Sequence, residues 1–417
     1  MAQETFLGPY RVLDLTGWEY HYGCKLLGDM GADVIKVERP GGDLDRARGP
    51  FYHNIPDPEK SLYWWAHNSS KRGITLDIET DDGREIFKKL AKTADAVVES
   101  FPPGYMDCIG LGYEALREVK PDIIMVSVTP FGQTGPYADY KGTDLIVDAM
   151  SGYAFVNGEP NRPPVRLMPP QTGLMTSAEA AQVVVYLLYH KEMTGKGQYA
   201  DVSSQAVNTW NHFNQPEWQF AAGQGYPKRA GPYFDFPGLK MRNVYETKDG
   251  HTVVNLMGGP MGAKQTKAFI DYMNECGMSS DYLNNKDYNA WMPGNIDQAD
   301  IDSVMEPAAA FIKTKTKAEL YEQALKSGAR VAPCYNAADL LADPQLQARD
   351  FWQEVDHPEL GEKIKYPAKH HSCLIKGAPE IGITRRAPLI GEHNEEVYKE
   401  IGLSKEDLIR LKSAGVI

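Results

Sequence analysis

The chain has 417 residues, 42% of them apolar and 24% charged, and a formal net charge of −12. That length accommodates about two or three domains, and the acidic balance argues against nucleic acid as a partner, because neutralising phosphates needs a basic face. No uncharged apolar run reaches the roughly 18 residues of a membrane span, and the opening MAQETFLGPY lacks the basic and apolar regions of an export signal, so no membrane partner and a cytoplasmic location are expected.

In chain order, the first half alternates β-rich runs with helical patterns: YRVLDLTG, ADVIKVE, GITLDI, ADAVVES and PDIIMVSVTPFG. Between them lie segments such as DDGREIFKKLAKT, where Ile86, Phe87, Leu90 and Ala91 recur at helical spacing. Near-continuous apolar strands separated by amphipathic helices predict a parallel sheet covered on both faces. The fold class expected is therefore α/β, with a large Rossmann-like domain beginning over residues 1–220. A long helix from about Thr176 to Tyr189 ends at the TGKG turn. Residues 225–330 change character, with hairpin-like strands around VYETKDGHTVVNLM and a turn signal at Asp249-Gly250, and a smaller α+β domain fits them. Residues 331–417 are expected to return to the large domain.

Five cysteines, Cys24, Cys108, Cys276, Cys334 and Cys373, are scattered without a CxxC pair. This excludes the common zinc ribbons and a disulfide framework, and no metal is expected. GLGYEA at 110–115 formally matches a nucleotide fingerprint, but no strand precedes it, so a glycine-rich turn is favoured. GGPMG at 258–262 can bind an anion at a helix N-terminus or simply connect two elements. His370 and His371 are adjacent, so on a strand they face opposite sides and cannot share a metal. The aromatics and amides of WNHFNQPEW at 210–218 suit an acyl pocket or an interdomain linker equally. Arg39 follows the strand ADVIKVE, and Lys71-Arg72 immediately precede GITLDI. In open α/β sheets ligands bind outside the carboxyl ends of strands and guanidinium suits phosphate, so these positions form either a nucleotide-phosphate patch or solvated surface.

Taken together, GADVIKVERPGGD, NSSKRGITLD, DAVVESFPPG, MVSVTPFGQTGPY, TDLIVDAMSGY, TGKGQYADVS and TRRAPLIGEH resemble the class III CoA-transferase family over nearly the whole chain and in the same order. The resemblance implies an interlocked dimer in which the Rossmann-like domain is built from both termini. It implies coenzyme A or acyl-CoA as substrate, together with a carboxylic acid, and transfer of CoA through acyl-aspartyl and aspartyl-CoA intermediates, a covalent mechanism that needs a nucleophilic carboxylate. By motif match it places Arg39, Lys71 and Arg72 at the CoA adenosine and phosphates, with Phe101, Pro103 and Gly104 in the adjoining loop; relatives often carry a polar CoA contact near the position of Cys108.

The family's nucleophilic aspartate lies between the PPVR and TGKG motifs. Counting seven residues on from Arg166, or 21 back from Thr194, reaches Gly173. A gapped match places Pro169 there, which is equally unable to attack. Where relatives have a small turn after the first strand, this chain has Trp18-Glu19-Tyr20-His21-Tyr22-Gly23, bulk that can fill the pantetheine space. The reading is a chain without a catalytic residue of its own that works with a homologous catalytic subunit, like the two-gene transferases that move CoA from succinyl-CoA to aromatic succinates such as benzylsuccinate. The alternatives are a homodimeric transferase or racemase using another residue, with Glu19, His21 and Glu179 as candidates, and a non-enzymatic acyl-CoA-binding protein.

Overall fold

The computed structural model describes residues 5–211, 229–236, 239–292, 294–367 and 381–417. His370, His371, Cys373 and most of WNHFNQPEW lie outside them, as does the side chain of Trp18. The chain divides into two compact units, one of Met1–Tyr153, Arg166–Asn214 and Gln345–Ile417, the other of Ala154–Val165 and Gln215–Pro344.

The larger unit is built on β1 (Arg11–Leu15), β2 (Asp33–Glu38), β3 (Lys71–Thr75), β4 (Ala96–Glu99), β5 (Ile124–Thr129) and β6 (Tyr199–Ser203). Every pairing is parallel and the order is β3-β2-β1-β4-β5-β6, the doubly wound order whose switch point lies between β1 and β4. Alternate strand residues feed two cores, as a sheet buried on both faces requires. Leu13, Ile35, Ile74 and Val97 meet the inward stripe of α3 (Asp81–Thr93), where Ile86, Phe87, Leu90 and Ala91 are all buried, as their spacing predicts. Val12, Val34, Val98 and Val126 face α1 (His21–Asp29) and the long α8 (Thr172–Thr194). Between these, in chain order, come α2 (Leu62–Asn68), α4 (Tyr105–Cys108), α5 (Tyr113–Val119), α6 (Asp144–Met150) and α7 (Tyr153–Val156), and α9 (Ser204–Asn211) follows β6.

One sequence expectation shifts and another holds. The third strand begins at Lys71 rather than after Arg72, with Lys71 opposite Val34 and Arg72 opposite Ile35 in the ladder. GLGYEA joins α4 to α5 as a turn, with Gly112 capping α5.

In the smaller unit, Val244–Thr247 and Gly250–Val254 form the expected hairpin. Val331–Cys334, expected to begin the return to the large domain, instead pairs antiparallel with Gly250–Val254, and the return comes at Gln345. Three helices, Gly259–Glu275, Gln298–Ile312 and Lys317–Ser327, bury Phe269, Met273, Val304, Phe311 and Leu320 in that unit's core. GGPMG opens the first of these helices, and a Cβ on Gly258 would lie 1.5 Å from the Trp291 carbonyl oxygen, so this glycine serves close backbone packing.

Candidate active site

The carboxyl ends of β1 to β4 enclose a crevice of about 600 Å3 that straddles the switch point. Two loops tie across it: the Gly17 N–H after β1 donates to Ser100 Oγ after β4 at 2.8 Å. One wall is aromatic, with Phe101 and Tyr105 stacked at 4.7 Å between centroids. The Tyr105 hydroxyl donates to Glu79 Oε1 at 2.8 Å, and burial together with that carboxylate raises its pKa to about 12. Glu99, at the end of β4, accepts from the Phe101 N–H at 2.7 Å and shapes that loop; burial pushes its carboxyl up to about 7. Arg39 lines the crevice as an exposed cation at the end of β2. Pro103 and Gly104 flank the aromatic wall, and Gly104 has φ +76°, a left-handed conformation suited to glycine.

The acid that a Rossmann crevice offers to a ribose at the end of β2 is Glu38 here, and it is engaged already. Arg46 grips it through Nε at 2.6 Å and Nη2 at 2.8 Å, both side chains being buried. Sequence reading passed over Arg46 because only the fold brings it beneath Trp64, 4.0 Å from the ring centre.

Lys71 and Arg72 are not brought to the crevice. They stand at the amino end of β3, and both are tied to carboxylates. The Lys71 ammonium is fully buried and donates to Asp14 Oδ2 at 2.7 Å, the His21 carbonyl at 2.8 Å and Asn68 Oδ1 at 2.8 Å. Arg72 is held by Asp33, Glu396 and Glu400 at 2.6–2.7 Å. The expectation that these two contact CoA phosphates therefore meets a physical obstacle: their charge is spent on holding the fold together. Burial alone would raise the Asp14 carboxyl, but Lys36 and Lys71 beside it more than offset that and hold it low.

His21 is likewise turned inward. Its ring is fully buried with its edge to Trp64, and Nε2 lies 2.8 Å from Asp45 Oδ2. Burial, then the charges of Lys36 and Lys71, drives the imidazole pKa well down, while burial and neighbouring Asp43 raise Asp45 to about 7. The imidazole is therefore uncharged and enclosed rather than offered to a substrate, while Asp45, which also lies 3.5 Å from Arg48, lines the crevice. His21, Asp43 and Asp45 bring three ligand atoms within 4.8 Å of one another, but the Lys36 ammonium stands 3.7 Å from Asp43 and already supplies the countercharge a cation would bring.

Gly173 is the second residue of α8 and is buried. A Cβ built on it would lie 2.5 Å from Glu19 Cβ and 2.8 Å from Glu19 O, closer than real Cβ contacts come. The turn Trp18–Tyr20 and the start of α1 are seated on α8, and a Cβ on Gly23 would likewise meet Ser177 O at 2.4 Å. Beside Gly173 the helix entrance is stitched by neutral hydroxyls and amides. Thr172 donates its N–H and Oγ1 to Asp144 Oδ1 at 3.0 and 2.7 Å, and Thr176 Oγ1 bonds to Thr172 O and Ser204 Oγ at 2.6 and 2.7 Å. Asp144, which the sequence assigns to a separate motif, is thus the carboxylate that reaches this end of α8. The i, i+4 pair Asp144 and Asp148 on one face of α6 was the signal available for it. Glu179 lies farther along α8, partly exposed.

The sequence model for CoA-transferase family III matches residues 7–394. The chain belongs to that family. This family III chain is 33% identical over 414 residues to the succinyl-CoA:(R)-benzylsuccinate CoA-transferase subunit BbsE of Thauera aromatica, covering 98% of this chain and 97% of that one. It is 31% identical to the succinyl-CoA:mesaconate CoA-transferase of Haloarcula hispanica, over 95% of this chain and 96% of that one. Among solved structures, a CAIB/BAIF family protein from Brucella suis superposes with a TM-score of 0.80 at 27% identity, over 96% of this chain and all of the other. CoA thioesters are the substrates of the family, and the α/β class with a parallel sheet is that of its solved members. Among the described residues no helix of this family III chain is long and apolar enough to cross a membrane.

Proposed function

We propose that this chain is the subunit without a nucleophile in a heteromeric, succinyl-CoA-dependent CoA-transferase, and that a homologous chain bearing the aspartate performs the acyl transfer. The observation that carries this reading is Gly173: at the position where motif counting expects the family's aspartate there is no side chain, and Glu19 occupies the space its Cβ would need. The crevice at the carboxyl ends of β1 to β4 is the part suited to CoA. Its aromatic wall of Phe101 and Tyr105 gives a purine a stacking face, its carboxylates Asp77 and Glu79 accept from amino and hydroxyl groups, and Arg39 at the rim supplies the cation for phosphate. Lys71 and Arg72 contribute indirectly, by fixing β3 against β1, β2 and the C-terminal helices.

The relatives that use succinyl-CoA make it the favoured donor, and likeness to the benzylsuccinate enzyme makes an aromatic succinate the acceptor to try first. An interlocked partner is supported by the outer face of α8, where Tyr189 and Met193 are 68% and 70% exposed, an apolar surface of the kind that marks an interface. The test is to express the chain alone and together with a homologous Asp-bearing chain. Native mass should then show a one-to-one complex, with turnover of succinyl-CoA and benzylsuccinate confined to the mixture. Robust turnover by this chain alone would overturn the reading.

A further inference from the structure

Along the open edge of β3 the chain returns as residues 382–393, and three backbone anchors hold it there. The Ser70 N–H donates to Arg385 O at 2.9 Å, the His393 N–H donates to Gly73 O at 2.9 Å, and the Gly73 N–H donates to Nδ1 of His393 at 3.1 Å. The last bond fixes the tautomer. A backbone N–H can only donate, so Nδ1 must offer its lone pair and the ring hydrogen of neutral His393 is carried on Nε2. Yet Nε2 lies 3.2 Å from Nη1 of Arg385, and guanidinium has donors only. Two N–H groups therefore converge with nothing to receive them. Arg385 is exposed and has no other side-chain partner among the described residues. Neighbouring Arg386, by contrast, donates to Glu392 at 2.8–2.9 Å and lies 2.7 Å from Glu359.

Arg385 and His393 line a cavity of about 480 Å3 that shares no residue with the crevice of the candidate active site. We infer that the Arg385 guanidinium and His393 Nε2 form a docking point for one compact oxyanion, a phosphate or carboxylate group, whose oxygen accepts from both. Charge-assisted bonds of this kind are the stronger class. Glu354, Asp356 and Glu392 also line this cavity and repel further negative charge, so the docking point is limited to a single anionic group. This assignment stands apart from the transferase reading, since no residue of that crevice takes part.

The experiment is calorimetric titration of the full chain with inorganic phosphate and, separately, with acetate, in chloride buffer at constant ionic strength. Saturable one-site binding of at least one of the two is expected, and which of them binds identifies the group. Arg385→Gln should weaken that binding about tenfold or more. His393→Asn supplies an amide oxygen for the Gly73 N–H but no donor at the Nε2 position, so it should keep the fold and still lose affinity. Nitrogen-15 spectra of the histidines should show His393 protonated at Nε2. Failure of both anions to saturate, an affinity unchanged in Arg385→Gln, or a hydrogen on Nδ1 of His393 would each overturn the assignment.

Discussion

The crevice above β1 to β4 and the amino end of α8 belong to the same unit, yet they have opposite characters. The crevice is open, with loops that leave backbone, aromatic faces and Arg39 available. The start of α8 is closed: Gly173 and Gly23 let backbone approach to distances that no side chain tolerates, and Thr172, Thr176, Ser204 and Asp144 are joined there by hydrogen bonds. A switch-point crevice follows from strand order alone, whereas a nucleophile depends on one side chain and on room for it. On the reading proposed above, binding and chemistry are separable in this fold, because the crevice does not depend on the residue at position 173.

The largest expected effect strikes the support beneath both regions. Lys71→Ala strips a fully buried carboxylate, Asp14, of its nearest ammonium and should cost about 3–5 kcal/mol in urea unfolding; a loss below 1 kcal/mol would mean Lys36 alone suffices. Glu99→Gln acts on the crevice side. Because burial raises this carboxyl to about 7, the folded chain holds a proton that the unfolded chain releases near pH 4.5, so ionising it lowers stability progressively from about pH 4.5 to 7. The variant, which escapes that penalty, should gain over wild type across this window, by an amount on the order of 2–3 kcal/mol above it. Equal stability of the two proteins at pH 5 and pH 8 would count against it.

Gly173→Asp sharpens the contrast from the closed side. Its Cβ must push back Glu19, so a loss of about 1–3 kcal/mol is expected, with no transferase turnover by the chain alone. A stable and active variant would show that the closed turn is no barrier. The smallest effect on the fold belongs to Arg39→Ala. Unfolding should move by less than about 0.5 kcal/mol, as at ordinary surface positions, while CoA affinity by equilibrium dialysis falls about tenfold. Unchanged affinity would remove the rim cation from the CoA reading.

Local pattern determined much of this protein. The alternation of apolar runs with amphipathic segments reveals the parallel sheet because strand and helix periodicities are short-range consequences of backbone geometry. The ordered family motifs likewise carry membership and draw attention to Gly173 without any coordinates. What only the tertiary structure decided is where charge goes. Lys71, Arg72 and His21 read as exposed chemistry, but Asp14, the acids around Arg72, and Asp45 come from elsewhere in the chain and hold them inward. Asp144 reaches α8 from α6, and Val331–Cys334 joins the smaller sheet, for the same reason. The burial of a charged or polar group depends on partners distant in sequence, and no window of neighbouring residues contains them.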